Sequence, residues 1–331
     1  MQYLNFIIMT KRYFCTHFDI NYTPHARSLA ESLYAVSPNS ELITFCMDDD
    51  SFDNLTKNKP VNVRPIHFSS LEAAFPNLLS AKNNRSRVEY FYTCSPAICN
   101  YVLNNLEGIN EVTYLDADLY FFSNPEPIFT ELGNSSVGII EHKFSFFTKR
   151  NKVYGIFNVG WITFRNDTNG MACLHSWTNN CIEWCYQRLE GEKYADQKYL
   201  DYWQRDFEGI YIIKNIGANL AIWNISNYRI SLKNNSVYVN ENELIFYHFA
   251  NFKQIGLNTF KTDLSRVFVR CTGVIKNNIY LPYIRTISKY LDSSKLIVAK
   301  KDAHASGLNM LLRKITRVVR QVLFPDIIKI N

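Results

Sequence analysis

Glycine is missing from the start of this chain: none of its 12 glycines occurs before Gly108. A P-loop, an N-terminal dinucleotide fingerprint and a Gly-rich nucleotidyltransferase loop all need glycine near the first strand, where backbone without a Cβ lets phosphates come close. Those devices are excluded there, so any nucleotide must be held by other groups. Long apolar runs are missing too. No stretch approaches the roughly 18 apolar residues of a membrane-spanning helix. The opening MQYLNFIIMTKRYF has too short an apolar run and the wrong flanks for a secretory signal. The expectation is a cytoplasmic protein whose eight cysteines are thiols. Cys181 and Cys185, four apart with His175 nearby, allow a zinc reading. No second ligand pair follows at zinc spacing, so small buried groups on an aromatic-rich helix are the better one.

Excess charge is absent from most of the chain. The formal charge of +6 lies wholly in residues 295–331, where eight basic residues face only Asp302 and Asp326. A nucleic-acid binder spreads its basic residues over a fold surface, so nucleic acid is not an expected partner. With 331 residues, 47% hydrophobic and 20% charged, the chain can bury a sizeable core, which excludes disordered and low-complexity classes.

What is present alternates. Strands are expected at Tyr13–Thr16, Glu41–Met47, Val61–His67, Glu111–Leu115, Ser136–Glu141 and 155–165. Helices are expected at Pro24–Val36, within Ser86–Leu106 (broken or started near Pro96) and at about Met171–Leu189. This order predicts an α/β fold with a Rossmann-like, mostly parallel central sheet flanked by helices. Ligands of such sheets sit beyond the carboxyl ends of the strands. There the segment Thr113-Tyr-Leu-Asp116-Ala-Asp118-Leu-Tyr-Phe-Phe carries two carboxylates just after an apolar strand. Two anions in apolar surroundings are costly unless a cation compensates them. Oxygen ligands suit Mg²⁺ or Mn²⁺, either of which can bridge a diphosphate. Asp48-Asp49-Asp50 is a second match to Asp-x-Asp, but it runs into polar sequence and reads as a solvated strand-exit turn.

TYLDADLYFFSNPEPIF, FNVGWITFRN, YADQKYL and FYHFANFK occur in the order found in GT-A-fold glycosyltransferases. Over roughly residues 13–256 the chain most closely resembles the retaining family-8 type and its bacterial surface-polysaccharide (lipopolysaccharide, O-antigen, capsule) relatives. With no internal repeat or long linker, the GT-A catalytic domain is expected over 1–262, followed by a mixed extension over 263–294 and a basic tail over 295–331. The resemblance implies Mn²⁺ or Mg²⁺ on Asp116, Asp118 and His248, a nucleotide-sugar donor with UDP foremost, and a saccharide or lipid-linked saccharide acceptor. Asn158 and the pair Asp196-Gln197 match residues that touch the donor sugar near the cleavage point. Thr16, Asp19 and Tyr22 match the opening nucleoside contacts, and Lys253 a phosphate contact. The late family motif is His-x-x-Gly-x-x-Lys; here Asn251 replaces the glycine and Lys253 comes one residue early. Thr93 stands where relatives often carry arginine, leaving Arg85 or Arg87 to supply that charge.

Plainer readings stay open beside these. His248 could be a hydrogen-bonded core histidine, Asn158 a turn residue, and Asp196-Gln197 a helix cap. Trp223-Asn224 reads as packing, and Glu141-His142 as a candidate acceptor wall. A sugar-nucleotide nucleotidyltransferase and a catalytically silent glycan- or membrane-binding relative are the rival functions. In the tail, Leu308, Leu311, Leu312, Ile315, Val318, Val319, Val322 and Leu323 fall within an arc of about 140° on a helix, opposite Arg313, Lys314, Arg317 and Arg320. That pattern suits an anionic membrane surface, and hence a peripheral place on the cytoplasmic face of the inner membrane. The alternative is a helix docked on its own domain or on a partner subunit.

Overall fold

The computed structural model describes residues 10–291 and 320–330. Its first half alternates strand and helix: β1 (Arg12–Phe18), α1 (Thr23–Val36), β2 (Ser40–Cys46), α2 (Asp49–Lys57), β3 (Val63–His67), α3 (Phe68–Ala74), α4 (Asn77–Asn84), α5 (Arg87–Asn105) and β4 (Glu111–Leu115). Next come β5 (Leu119–Phe121), α6 (Glu126–Leu132), β6 (Val137–Glu141), β7 (Phe157–Arg165), α7 (Thr168–Glu183), α8 (Trp203–Asp206) and β8 (Ile210–Ile213). A seven-stranded sheet has the order β3-β2-β1-β4-β7-β6-β8. All its neighbouring pairs are parallel except the two made by β7, which runs against β4 and β6. This is the expected α/β Rossmann-like sheet, consistent with GT-A architecture.

The strands read as continuous apolar runs because both faces of the sheet are covered. In β1, Phe14 and Phe18 pack with Leu29 and Leu33 of α1, while Cys15 points the other way onto Ile98 and Val102 of α5. All eight cysteines are free and buried, and Cys181 and Cys185 lie in the apolar core.

Two local expectations need correction. α5 is one helix of 19 residues rather than two pieces. It starts at a reciprocal Ser86–Glu89 capping box and carries Pro96 in its interior. Proline there forfeits one backbone hydrogen bond, but Cys94, Ala97, Ile98 and Cys99 are completely buried, and that packing holds the helix through the defect. Asp48 leads into a helix rather than a turn, although Asp49 and Asp50 after it are exposed as expected. Its carboxylate caps α2 by accepting from the Ser51 amide at 2.9 Å, and the Ser51 hydroxyl completes the box. The cue was present as Asp followed three residues later by Ser.

The second half adds β9 (Leu220–Ala221), β10 (Ile230–Lys233), β11 (Ser236–Val239), β12 (Asn242–Glu243), β13 (Phe246–His248), β14 (Lys253–Gly256), β15 (Thr259–Lys261), α9 (Leu281–Ser288) and β16 (Ile327–Lys329). A three-stranded sheet, β5-β13-β9, joins this half to the first. A third core cluster unites Leu220, Tyr247 and Phe249 with Tyr280, Tyr283 and Ile287. Most of the tail, and with it most of the proposed 308–324 helix, lies outside the described residues. Its last part docks on its own domain: β16 pairs antiparallel with β15, Ile328 is buried, and the buried Asp326 carboxylate accepts from Ser265 Oγ at 2.6 Å.

Candidate active site and cation centre

β1, β4 and β6 run in the same direction, and the residues just past their carboxyl ends are Asp19, Asp116 and His142. β7 runs the other way and enters at the same edge with Asn158. All four line a pocket of about 1170 Å³. Asp116 and Asp118 sit in the short turn between β4 and β5. The register of β13 on β5 sets His248 opposite Leu119, one residue from Asp118, and the Phe249 amide donates to the Asp118 carbonyl at 3.0 Å. A sequence separation of 130 residues is closed by that one strand pairing. His248 Nε2 stands 3.0 Å from Asp118 Oδ1 and 3.5 Å from Asp116 Oδ2. One ligand atom from each of the three residues falls within 4.8 Å of the others, the one such group of three found among the described residues.

The electrostatics mark this as a site short of positive charge. Burial pushes the Asp116 carboxyl up and Asp118 adds to the push, outweighing His248 and the hydrogen bond from Tyr114. Burial acts against ionised Asp118 too, but His248 overcomes it and holds that carboxyl below its ordinary value. In turn His248 is lifted by Asp118 and Asp116 against the opposing effect of burial. Two carboxylates and an imidazole are ordinary ligands of divalent cations, so the residues present fit such an ion. Tyr114 donates to Asp116 at 3.0 Å and orients it. Sequence reading missed that contact, although positions i and i+2 of a strand share a face.

Close packing fixes His248 and Asn158. Between Ile139 and Ile140 the β6–β7 register shifts, a bulge that turns Asn158 into the pocket. Its carbonyl oxygen accepts from the Gly160 amide at 3.1 Å and its amide donates to His142 Nε2 at 3.3 Å. His142 can accept because its Nδ1 is set against the Ile156 carbonyl at 3.1 Å, and burial lowers its pKa to about 3, keeping it neutral. The edge of Trp223 meets the His248 ring at 4.9 Å, so that tryptophan is pocket wall as well as packing. Asn224 is purely structural, bridging Ala221, His142 and Asn219. A Cβ on Gly160 would lie 2.6 Å from Asn158 Oδ1 and 2.8 Å from the His248 ring, which explains the glycine of FNVG by space alone.

Asp196 is buried in the pocket wall beside Ala195, a non-glycine residue held at φ 45°. Such left-handed backbone is uncommon and costs energy, and it clusters at functional sites. Burial first, then Asp116, push Asp196 up to about 7. A raised carboxyl pKa contributes stability that is fully present below the unfolded value near 3.8 and lost as pH rises through about 7. Asp196→Asn should therefore raise the melting temperature of the metal-free protein at pH 8 and leave it unchanged near pH 4. The gain should be about 2–4 kcal/mol; a variant less stable at pH 8 would contradict this. Gln197 precedes a 3₁₀ turn without capping it through its side chain; its amide donates to the Tyr154 carbonyl at 2.9 Å.

Beside the β1–α1 junction, Asp19 and Tyr22 line the pocket with Arg87, which donates to Asp19 Oδ2 at 2.6 Å and lies 3.6 Å from Asp48. Arg85 points elsewhere, donating to the Ile182 carbonyl. Thr16 is fully buried in β1 behind this wall, and its hydroxyl has no hydrogen-bond partner. Asn251 adopts φ 65°, the conformation that explains glycine at that point of the resembled motif and that asparagine tolerates. Lys253 lies exposed on β14, outside the pocket lining. Arg266 and Arg320 do line the pocket. Only tertiary folding reveals them, since in the sequence Arg320 belongs to the tail's basic face.

Fold and site together define the class: an α/β protein whose sheet edge opens into a pocket built around an Asp–Asp–His group able to hold a divalent cation. The chain is 32% identical over 269 residues to YfnD of Bacillus subtilis (strain 168), covering 80% of this chain and 85% of that one. It is 31% identical over 261 residues to YfnF of the same bacterium, covering 76% and 85%. It belongs to the family of these two proteins, both described as uncharacterized. No protein-family model matches the chain. Among solved structures it is similar to the galactosyltransferase LgtC in complex with donor and acceptor sugar analogs, with a TM-score of 0.48 at 16% identity over 72% of this chain and 87% of that chain.

Proposed function

We propose that this protein is a metal-dependent glycosyltransferase. It moves a sugar, with UDP-hexose the leading donor, to a saccharide or lipid-linked saccharide acceptor in surface-polysaccharide synthesis, working peripherally at the cytoplasmic face of the membrane. The observation that carries the reading is the meeting of Asp116, Asp118 and His248 in one pocket with Asp19, Asn158, Asp196 and Gln197. Four motifs spread along the chain thus converge on one cavity, which a structural role for any of them does not require.

Mn²⁺ or Mg²⁺ held by the three ligands would act as a Lewis acid on the departing diphosphate. The protein's own groups position the rest. Asn158 is locked by Gly160 and His142, so its amide is fixed where the donor sugar is expected. Asp196 titrates near neutrality and can accept hydrogen bonds from sugar hydroxyls, and Gln197 is held beside it by Tyr154. Holding the anomeric carbon against an acceptor hydroxyl is the work left to such groups. We further propose retention, with attack from the face the diphosphate leaves. The ground is that no carboxylate stands out as an enzymatic nucleophile for a two-step route: of the four in the pocket lining, two belong to the cation site and Asp19 is paired with Arg87, which leaves Asp196 as the only candidate.

A screen of UDP- and GDP-sugars for Mn²⁺-dependent donor hydrolysis should find one that is turned over, with activity abolished by chelator. NMR of the transferred product should show the donor's anomeric configuration kept. An inverted product would end the retention proposal. Release of pyrophosphate from a nucleoside triphosphate and a sugar phosphate, with no donor hydrolysis, would replace the transferase reading with a nucleotidyltransferase.

A further inference from the structure

The stretches 142–166, 264–291 and 303–325 are each free of acidic residues. The fold brings described parts of all three to one face. Phe146 and Phe147 meet edge-on at 5.7 Å, Phe147 lies 4.8 Å from Phe268, and Phe268 meets Phe324 at 5.5 Å. Phe146 is 73% exposed, Phe147 and Phe268 are each 48% exposed, and Val322 and Leu323 are open beside Phe324. Cations are interleaved with the rings. Lys149 Nζ lies 4.4 Å from the Phe146 ring centre and the Arg270 guanidinium 5.8 Å from that of Phe324. Arg270 also donates to the Leu323 carbonyl at 3.1 Å, tying the third stretch to the second. Arg150 and Lys152 add two more exposed charges. Asp263 and Asp326, which adjoin the second and third stretches, are both buried: Asp263 pairs with Lys261 and Arg266, and Asp326 accepts from Ser265.

This patch borders the pocket, for Phe147, Thr148, Arg266 and Arg320 belong to the pocket's own lining. Contiguous exposed apolar surface of this kind marks a binding face. Its chemistry selects the occupant. Phenylalanine has no polar edge to offer a saccharide, whereas apolar rings flanked only by Lys and Arg match acyl chains below a layer of phosphate headgroups. We infer that this face sits directly on an anionic bilayer, with the mouth of the pocket turned towards the lipid. The folded domain itself then makes the membrane contact, by a surface centred on Phe146, Phe147 and Phe268 that meets the tail's apolar stripe only at Val322 and Leu323, and a lipid-linked acceptor enters without leaving the membrane. The inference extends the proposed function but does not require it, because vesicle binding is read without catalysis.

The test uses the full chain and sedimentation with phosphatidylcholine vesicles made with or without phosphatidylglycerol. The wild type should bind only the anionic vesicles. Lys149→Gln/Arg150→Gln/Lys152→Gln should weaken binding by a factor on the order of ten to a hundred, and Phe146→Ser/Phe268→Ser by at least as much. None of these five residues lines the pocket, so melting temperature and donor hydrolysis in solution should stay as in the wild type. Arg313→Gln/Lys314→Gln/Arg317→Gln, measured alongside, reports the tail's separate share. If the phenylalanine variant unfolds, Phe146→Trp serves instead, with blue-shifted emission quenched by brominated lipid as the expected result. Wild-type binding by both patch variants, loss of binding in the tail variant alone, or a tryptophan at 146 left in water on bound protein would overturn the inference. So would loss of saccharide-acceptor binding in the patch variants with no vesicle binding by the wild type, which would make the face a glycan platform.

Discussion

Asp118→Ala should lower cation-dependent donor turnover by a factor on the order of 10²–10³, the scale of losing one preorganised electrostatic contact to developing charge. Asp118 is the ligand to remove because, of the two carboxylates, it is the one held in the ionised form, with Nε2 of His248 at 3.0 Å. Its loss leaves Asp116, whose ionised form burial disfavours, and an imidazole stripped of its main partner. The fold should survive, since Asp118 lines the pocket and keeps 18% of its side-chain surface accessible. Mn²⁺ raises the melting temperature of a protein that binds it only when folded. That rise should be present in the wild type and absent in Asp118→Ala. A variant with full turnover would place the catalytic cation elsewhere.

Gly160→Ala should be nearly as damaging to activity without altering any ligand. The added Cβ has Asn158 Oδ1 at 2.6 Å on one side and the His248 ring at 2.8 Å on the other. Neither neighbour is a free side-chain end. Asn158 is bonded to His142 and to the Gly160 amide, and His248 is backed by Trp223. The backbone has little room to move either, because the Gly160 carbonyl accepts from the Asp116 amide at 3.3 Å. Overpacking of this kind costs about 1–3 kcal/mol. The melting temperature should fall by a few degrees while cation affinity and turnover fall together. If turnover is unchanged, the packing around His248 and Asn158 is looser than the distances indicate.

The central strands and the Asp-x-Asp pair were legible because their signals are local. An apolar run followed by two carboxylates states both its burial and its electrostatic problem in ten residues. His248 was accessible only through resemblance, since what brings it to Asp118 is the pairing of β13 with β5, a contact between segments far apart in the chain. Pro96 misled for the opposite reason: a strong local signal was overruled by the buried face of α5. Asn251 looked like a departure from its motif, yet its backbone conformation is one that asparagine shares with glycine. Arg266 and Arg320 carried no local sign of their place, and Lys253 carried a sign the pocket does not use. The aromatic and basic residues beside the pocket were visible singly, but only the fold shows that three acid-free stretches meet there.

The account turns on one cation held jointly by Asp116, Asp118 and His248. Titration of the wild type with Mn²⁺, followed by the electron paramagnetic resonance signal of the free ion in the presence of a nucleoside diphosphate, should reveal one tight site per chain. The same titration of His248→Ala should show that site weakened by about tenfold or more. Equal Mn²⁺ binding by the wild type and His248→Ala would contradict the account at its root.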